Sequence, residues 1–142
     1  MIFADGWYSF RFGGYAMSRA IPHHVVGIGR MRLATDAATG KQAVTGDHVS
    51  AISRLAGSDA AFDNNRYTMV GTLAEIGGYG VAQIRFSEDS TTMDPQVLDA
   101  RFHLLPAGDG RIWLISTSTR SVSSGNAPAD EVISGEAVRI SD

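Results

Sequence analysis

The stretch Arg66-Tyr67-Thr68-Met69-Val70-Gly71-Thr72-Leu73-Ala74-Glu75-Ile76, then Gly77-Gly78, then Tyr79-Gly80-Val81-Ala82-Gln83-Ile84-Arg85-Phe86-Ser87 decides the fold class. It is two runs of period-two patterning around a glycine pair, which reads as a β-hairpin. Tyr67, Met69, Leu73 and Glu75 fall on one face of the first run.

The same period extends in both directions. Toward the N-terminus a strand is expected from about Val44 to Leu55, with Val49, Ala51, Ser53 and Leu55 on one face. Another runs from His24 to Ala34, where Val25, Met31 and Leu33 oppose Val26, Ile28, Arg30 and Arg32. Gly27 and Gly29 sit two apart on one face, where they allow a bend or the close approach of another backbone. The first strand, Trp7 to Tyr15, sets Tyr8, Phe10 and Phe12 against Trp7, Ser9 and Arg11. Toward the C-terminus come Gln96 to Leu105, Arg111 to Thr119 and Glu131 to Ile140. Turn chemistry separates the runs at Thr35 to Gly40, Gly77-Gly78 and Pro106 to Gly110. No window gives a convincing amphipathic helix. Val49 to Ala61 can be read as one, but Ser50, Ser53, Gly57 and Ser58 make a poor helix interior.

About eight strands joined by short turns describe an all-β antiparallel meander. Closing it into a barrel removes both bare edges, and a barrel of that size encloses side chains or one small ligand. A closed barrel forming a single domain over residues 1–142 is therefore the expected architecture, with an open sandwich as the alternative. The core spans about 6–119, and the last strand about 131–140.

Gly6-Trp7-Tyr8-Ser9-Phe10-Arg11-Phe12-Gly13-Gly14 carries the pattern G-x-Y-x-F-x-x-x-G. It resembles the opening strand of small bacterial β-barrels of the lipocalin-like and allene-oxide-cyclase-like kind. Gly27-Ile28-Gly29-Arg30-Met31, Val44-Thr45-Gly46, Tyr67 to Thr72, Gly78 to Ala82 and Arg111 to Ser116 are similar to their later strands. The resemblance implies a closed barrel with an apolar lumen. Some such barrels bind hydrophobic small molecules, and others are cyclases, including allene oxide cyclases and spirotetronate-forming cyclases. No catalytic residue carries over position by position, and a fold alone does not assign a function.

Composition excludes several classes. The 142 residues carry a net charge of −3, which disfavours a basic nucleic-acid platform. There is no cysteine, hence no disulfide framework, thiolate nucleophile or zinc ribbon. The opening Met1 to Trp7 lacks a basic stretch followed by an apolar run, and nothing approaches the ~18 apolar residues of a membrane helix. A cytoplasmic protein with no membrane partner is expected. His23 and His24 point to opposite faces of a strand, and no metal-binding spacing occurs among His23, His24, His48 and His103. Each histidine reads as exposed or hydrogen-bonded. No serine sits in a Gly-x-Ser-x-Gly elbow, and no glycine cluster opens a helix to hold phosphate.

The aromatic set is more informative. Tyr8, Phe10, Phe12, Tyr67, Phe86, Phe102 and Trp113 stand on different strands and are expected to line one lumen, with Met31 and Met69 as adaptable wall. Leu73, Ile84, Leu104 and Leu114 would complete that wall; a completely filled core is the alternative. Tyr67 and Glu75 are the candidate catalytic pair, orienting a ligand in an apolar pocket. Asp99, Arg101 and His103 share one face, opposite Leu98, Phe102 and Leu104. They read as solvated exterior or, if inward, as an acid–base cluster. The expected function is a cofactor-free cyclase or isomerase acting on a hydrophobic small molecule by containment. Trp113 and Phe102 would stack on the substrate, and Tyr67 would donate to a carbonyl. A carrier of hydrophobic molecules and a filled structural barrel are the alternatives. Strands apolar on both faces, as at Ile112-Trp113-Leu114-Ile115, point to a homodimer. Candidate lids are Met17 to Pro22, Glu88 to Pro95 and Ser121 to Asp130, with Met17, Ile21 and Met93 reaching inward.

Overall fold

The computed structural model describes residues 2–18, 21–54, 62–89, 95–128 and 130–142, with side chains described for 2–16, 23–51, 65–89, 95–128 and 131–142. The strands are β1 (Gly6–Ser18), β2 (Ile21–Thr35), β3 (Gln42–Arg54), β4 (Phe62–Ile76), β5 (Tyr79–Glu88), β6 (Val97–Gly108), β7 (Arg111–Ser121), β8 (Ala127–Pro128) and β9 (Asp130–Ser141). All pairings are antiparallel. Each of β1 to β7 pairs with the next, β7 pairs with β9, and β9 returns to β1. Eight strands thus close a barrel, and β8 is a two-residue addition against Arg120 and Ser121. The described residues contain no helix long and apolar enough to cross a membrane.

Period-two patterning decides which side chains face inward. Tyr8 and Phe10, Met31 and Leu33, Met69 and Leu73, and Ala82 and Ile84 are all buried, while their sequence neighbours face out. Strand ends extend past the runs of clear alternation: β1 and β2 stay paired to Ser18↔Ile21. Met17-Ser18 and Ile21-Pro22 are therefore strand rather than lid, because the β1–β2 ladder continues through them. The side chains of Met17 and Ile21, and all of Met93, lie outside the described residues. The helical reading of Val49 to Ala61 is overturned as far as Arg54, where β3 still pairs with β2. Its remainder lies outside the described residues.

The barrel has a closed and an open end. The turns at Gly77-Gly78 and Asp109-Gly110 lie at the closed end, where a strap of residues 2–5 crosses. Phe3 of that strap is 3% exposed and packs in the core against the Leu73 and Gly80 region. Several hydrogen bonds fix the strap. Gln42, fully buried, donates Nε2 to the Phe3 carbonyl at 3.0 Å and to Asp5 Oδ1 at 2.8 Å. The Tyr8 hydroxyl donates to the Ala4 carbonyl at 2.7 Å, and the Ile2 backbone N–H donates to the Glu75 carboxylate. Asp5 also accepts from the Thr35 backbone and hydroxyl, and these hydrogen bonds, with that of Gln42 first, hold its carboxyl below the usual range.

At the other end the wall parts. The β7–β9 ladder runs only from Arg111↔Val138 to Ile115↔Ser134. Beyond it β9 continues against β1 to Asp130, and β7 continues against β6 to Ser121. The short β8 pairs with β7 beside this split.

Candidate lumen site at the open end of the barrel

A cavity of about 420 Å³ occupies the barrel between the packed closed end and the split mouth. Phe10, Phe12, Met31, Tyr67, Met69, Phe86 and Phe102 all line it, as do Leu73, Ile84, Leu104 and Leu114. The expectation of a hollow rather than filled centre matches this geometry. Ser121, Ser124, Ala127 and Pro128, within the segment read as a lid, line the mouth.

Three of the expected site residues stand elsewhere. Tyr8 is buried beside the strap, with its hydroxyl committed to Ala4, and does not line the cavity. Trp113 is 57% exposed on the outer wall, because β7 turns Ile112 and Leu114 inward. Glu75 shares a face with Tyr67 but lies eight residues further along β4, roughly 25 Å at the rise of an extended strand. It is exposed at the closed end, where its carboxylate accepts from Ile2. Tyr67 and Glu75 are therefore not brought together. Asp99, Arg101 and His103 take the exterior alternative; Asp99 accepts from Arg85 Nε and Nη2 at 2.7 and 2.9 Å on the outer wall.

Residues not singled out as site members supply the polar groups instead. On β3 the inward face reads Val44, Gly46, His48 and Ser50, so His48 enters the lumen rather than solvent. This corrects the reading of His48 as exposed or hydrogen-bonded: it is 6% exposed, and its Nδ1 is covered and unpartnered. Its ring stacks on Tyr67 at 5.1 Å and 16°, and the edges of Phe12 and Phe86 approach at 5.3 and 5.1 Å. Glycine makes room for this cluster: a β-carbon on Gly27 would overlap the Phe12 ring, and one on Gly29 would overlap Phe10 and His48.

Burial sets the protonation states. It drives the His48 imidazole down to about 4, with the Asp47 charge opposing. The Tyr67 phenol is pushed up to about 12, first by burial and then by Glu88 and Glu131, against a hydrogen bond with Asn65. Glu131, in the cavity wall at the start of β9, is raised by burial. All three groups are thus driven toward their neutral forms. No lysine or arginine lines the cavity among the described residues, and no three potential metal-ligating side chains converge there. The arrangement offers hydrogen-bond donors and acceptors in a largely apolar chamber.

No protein-family model, no curated protein and no solved structure matches the chain.

Proposed function

We propose that the chain binds an apolar small molecule in the barrel lumen and acts on it as a cofactor-free cyclase or isomerase. The cavity carries this reading: about 420 Å³ lies within the roughly 300–1,000 Å³ of small-molecule sites. Its walls are aromatic and aliphatic, with few polar groups. A flexible substrate held folded there loses its conformational freedom on binding, before reaction, which lowers the barrier to joining two of its own carbons. Phe102 offers a stacking surface and Tyr67 a donor to a ligand oxygen. This agrees with the resemblance to allene-oxide-cyclase-like barrels. Non-catalytic carriage is the second reading, favoured by the wholly apolar lower wall. His48, Tyr67 and Glu131 in the upper wall favour chemistry, since carriage alone needs no titratable groups.

A thermal-shift panel of uncharged apolar compounds tests the lumen. At least one is expected to raise Tm by about 5–10 °C at saturating concentration. Ala100 is 7% exposed and lines the cavity, so Ala100→Phe should fill the space and abolish the shift. A wild-type protein unresponsive to the whole panel sinks the proposal.

The outer wall bears on partners. Its mixed charges, including the Arg30–Asp47 and Arg66–Asp47 pairs, offer no uniform basic surface to nucleic acid. An apolar inside and charged outside is the reverse of a membrane barrel, which supports a protein surrounded by water. An apolar stripe also crosses this wall. In register, Val49 lies beside Ile28, and Ala51 beside Val26, with Gly13 next on β1, then Ser134 on β9 and Ile115 on β7. Ile28 is 69% exposed. We propose that a second copy of the chain covers this stripe. Sedimentation should find a dimer that Ile28→Asp converts to monomer; a monomeric wild type overturns the assignment.

A further inference from the structure

The His48 ring has one closed edge and one open edge. Nδ1 is covered and has no hydrogen-bond partner, whereas Nε2 is not among the covered, unpartnered atoms and has no hydrogen bond among the described residues. With the ring inside the lumen and stacked on Tyr67, that open edge faces the cavity. The tautomer follows from the closed edge. An N–H buried without an acceptor is rarer and costlier than a buried lone pair, so the proton is kept off Nδ1 and resides on Nε2. The ring therefore presents an uncharged N–H donor to a chamber in which no acceptor among the described residues meets it. The Tyr67 hydroxyl, on the stacked ring, is a second neutral donor in the same wall.

A pair of neutral donors facing an apolar space calls for an uncharged acceptor. Resting on the reading of the lumen as a small-molecule site, we propose that it takes uncharged ketones or enones, with His48 Nε2–H donating to the ligand's carbonyl oxygen. A neutral imidazole placed this way polarises a carbonyl without bringing a buried charge, and its effect grows as negative charge develops on that oxygen. A carboxylate ligand is disfavoured by the same wall, since no described lining residue offers it a cation.

Three compounds of matched shape separate the possibilities: 2-acetylnaphthalene, 2-ethylnaphthalene and 2-naphthoate. Calorimetry on the wild-type protein should find the ketone bound about tenfold or more tighter than the hydrocarbon, and the carboxylate weakest. In His48→Phe, which removes this donor and leaves that of Tyr67, the ketone's advantage over the hydrocarbon should fall about fivefold or more. The carbonyl stretching band of 13C-labelled 2-acetylnaphthalene should move to lower frequency on the wild-type protein and move measurably less on His48→Phe. That band does not respond to a merely structural role. Equal affinity for ketone and hydrocarbon, or an unshifted band, overturns the donor role while leaving the lumen site standing. Failure of all three compounds to bind, in a chain that also fails the thermal-shift panel, removes the lumen reading itself.

Discussion

Gly14→Ala is expected to cost about 3 kcal/mol of stability, whereas Gly13→Ala, one residue away, is expected to be neutral or slightly stabilising. Both glycines lie in β1 with ordinary extended backbone, so neither outcome depends on a special torsion angle. Gly13 faces outward, and an added β-carbon would sit 3.7 Å from the Val25 carbonyl oxygen and from Val26 Cγ1, ordinary packing distances. Gly14 faces inward, and the same carbon would collide with the Val132 carbonyl and the Ile133 Cα, which are backbone and cannot rotate aside. Gly46, Gly71 and Gly135 meet the backbones of Arg30, Gln83 and Arg11 in the same way. These inward glycines let neighbouring strands approach closely where the sheet coils into a barrel. For a chain of this length the expected loss corresponds to a fall in Tm of roughly 10 °C. Thermal unfolding of the two single variants beside wild type checks it. Equal behaviour of the pair would mean that the close approach at Gly14 relaxes freely.

The fold was legible because period two persists through nearly every strand. All eight barrel strands stand close to where alternation places them. The Gly77-Gly78 turn has φ of 60° and 83°, the left-handed pair that a tight hairpin requires. Boundaries were less legible: β1 and β4 are longer than their clear runs, because hydrogen bonding to a partner strand sustains them where polarity no longer alternates. The two residues of β8 carry no pattern at all, and only their position beside the split in the wall pairs them with β7.

Site residues were legible where the opposite face of the strand is polar. Phe10 and Phe12 are flanked by Ser9 and Arg11, so their inward direction follows from sequence. In β7, Ile112, Trp113, Leu114 and Ile115 are all apolar, and alternation cannot say which pair turns inward. Register irregularities between Arg101 and Phe102 and between Pro106 and Gly108 add to that ambiguity. Glu75 shows a different limit: sharing a face with Tyr67 does not make it a neighbour, since a long strand separates its two ends. His48 had a usable signal in its parity with Val44. That signal says where the side chain points, but the absence of a partner at Nδ1 emerges only from the packing of four other strands around it.

That packing makes the stability of the barrel depend on mild acid through one residue. His48 takes up a proton only near pH 4 in the folded chain, whereas an unfolded chain protonates the same ring at about 6.5. Between those values the unfolded state binds the extra proton, so stability falls as pH falls from 6.5 toward 4. At about 1.4 kcal/mol for each pH unit, the full loss is roughly 3 kcal/mol, and it levels off below pH 4. Of the charges nearby, Asp47 favours protonation and is already counted in the balance, while Glu131 and Tyr67 are themselves pushed toward neutrality. Carboxylates such as Asp5 and Asp99, held below their usual range by hydrogen bonds, also lose stabilisation in acid. Their contribution is the same in a variant that lacks only the imidazole. Denaturant unfolding at pH 7 and pH 4 should therefore find that wild type loses roughly 3 kcal/mol more than His48→Phe over the interval. Parallel losses in the two proteins, or a His48 ring resonance titrating near 6.5, would place the imidazole in water rather than in the aromatic box formed by Phe10, Phe12, Tyr67 and Phe86.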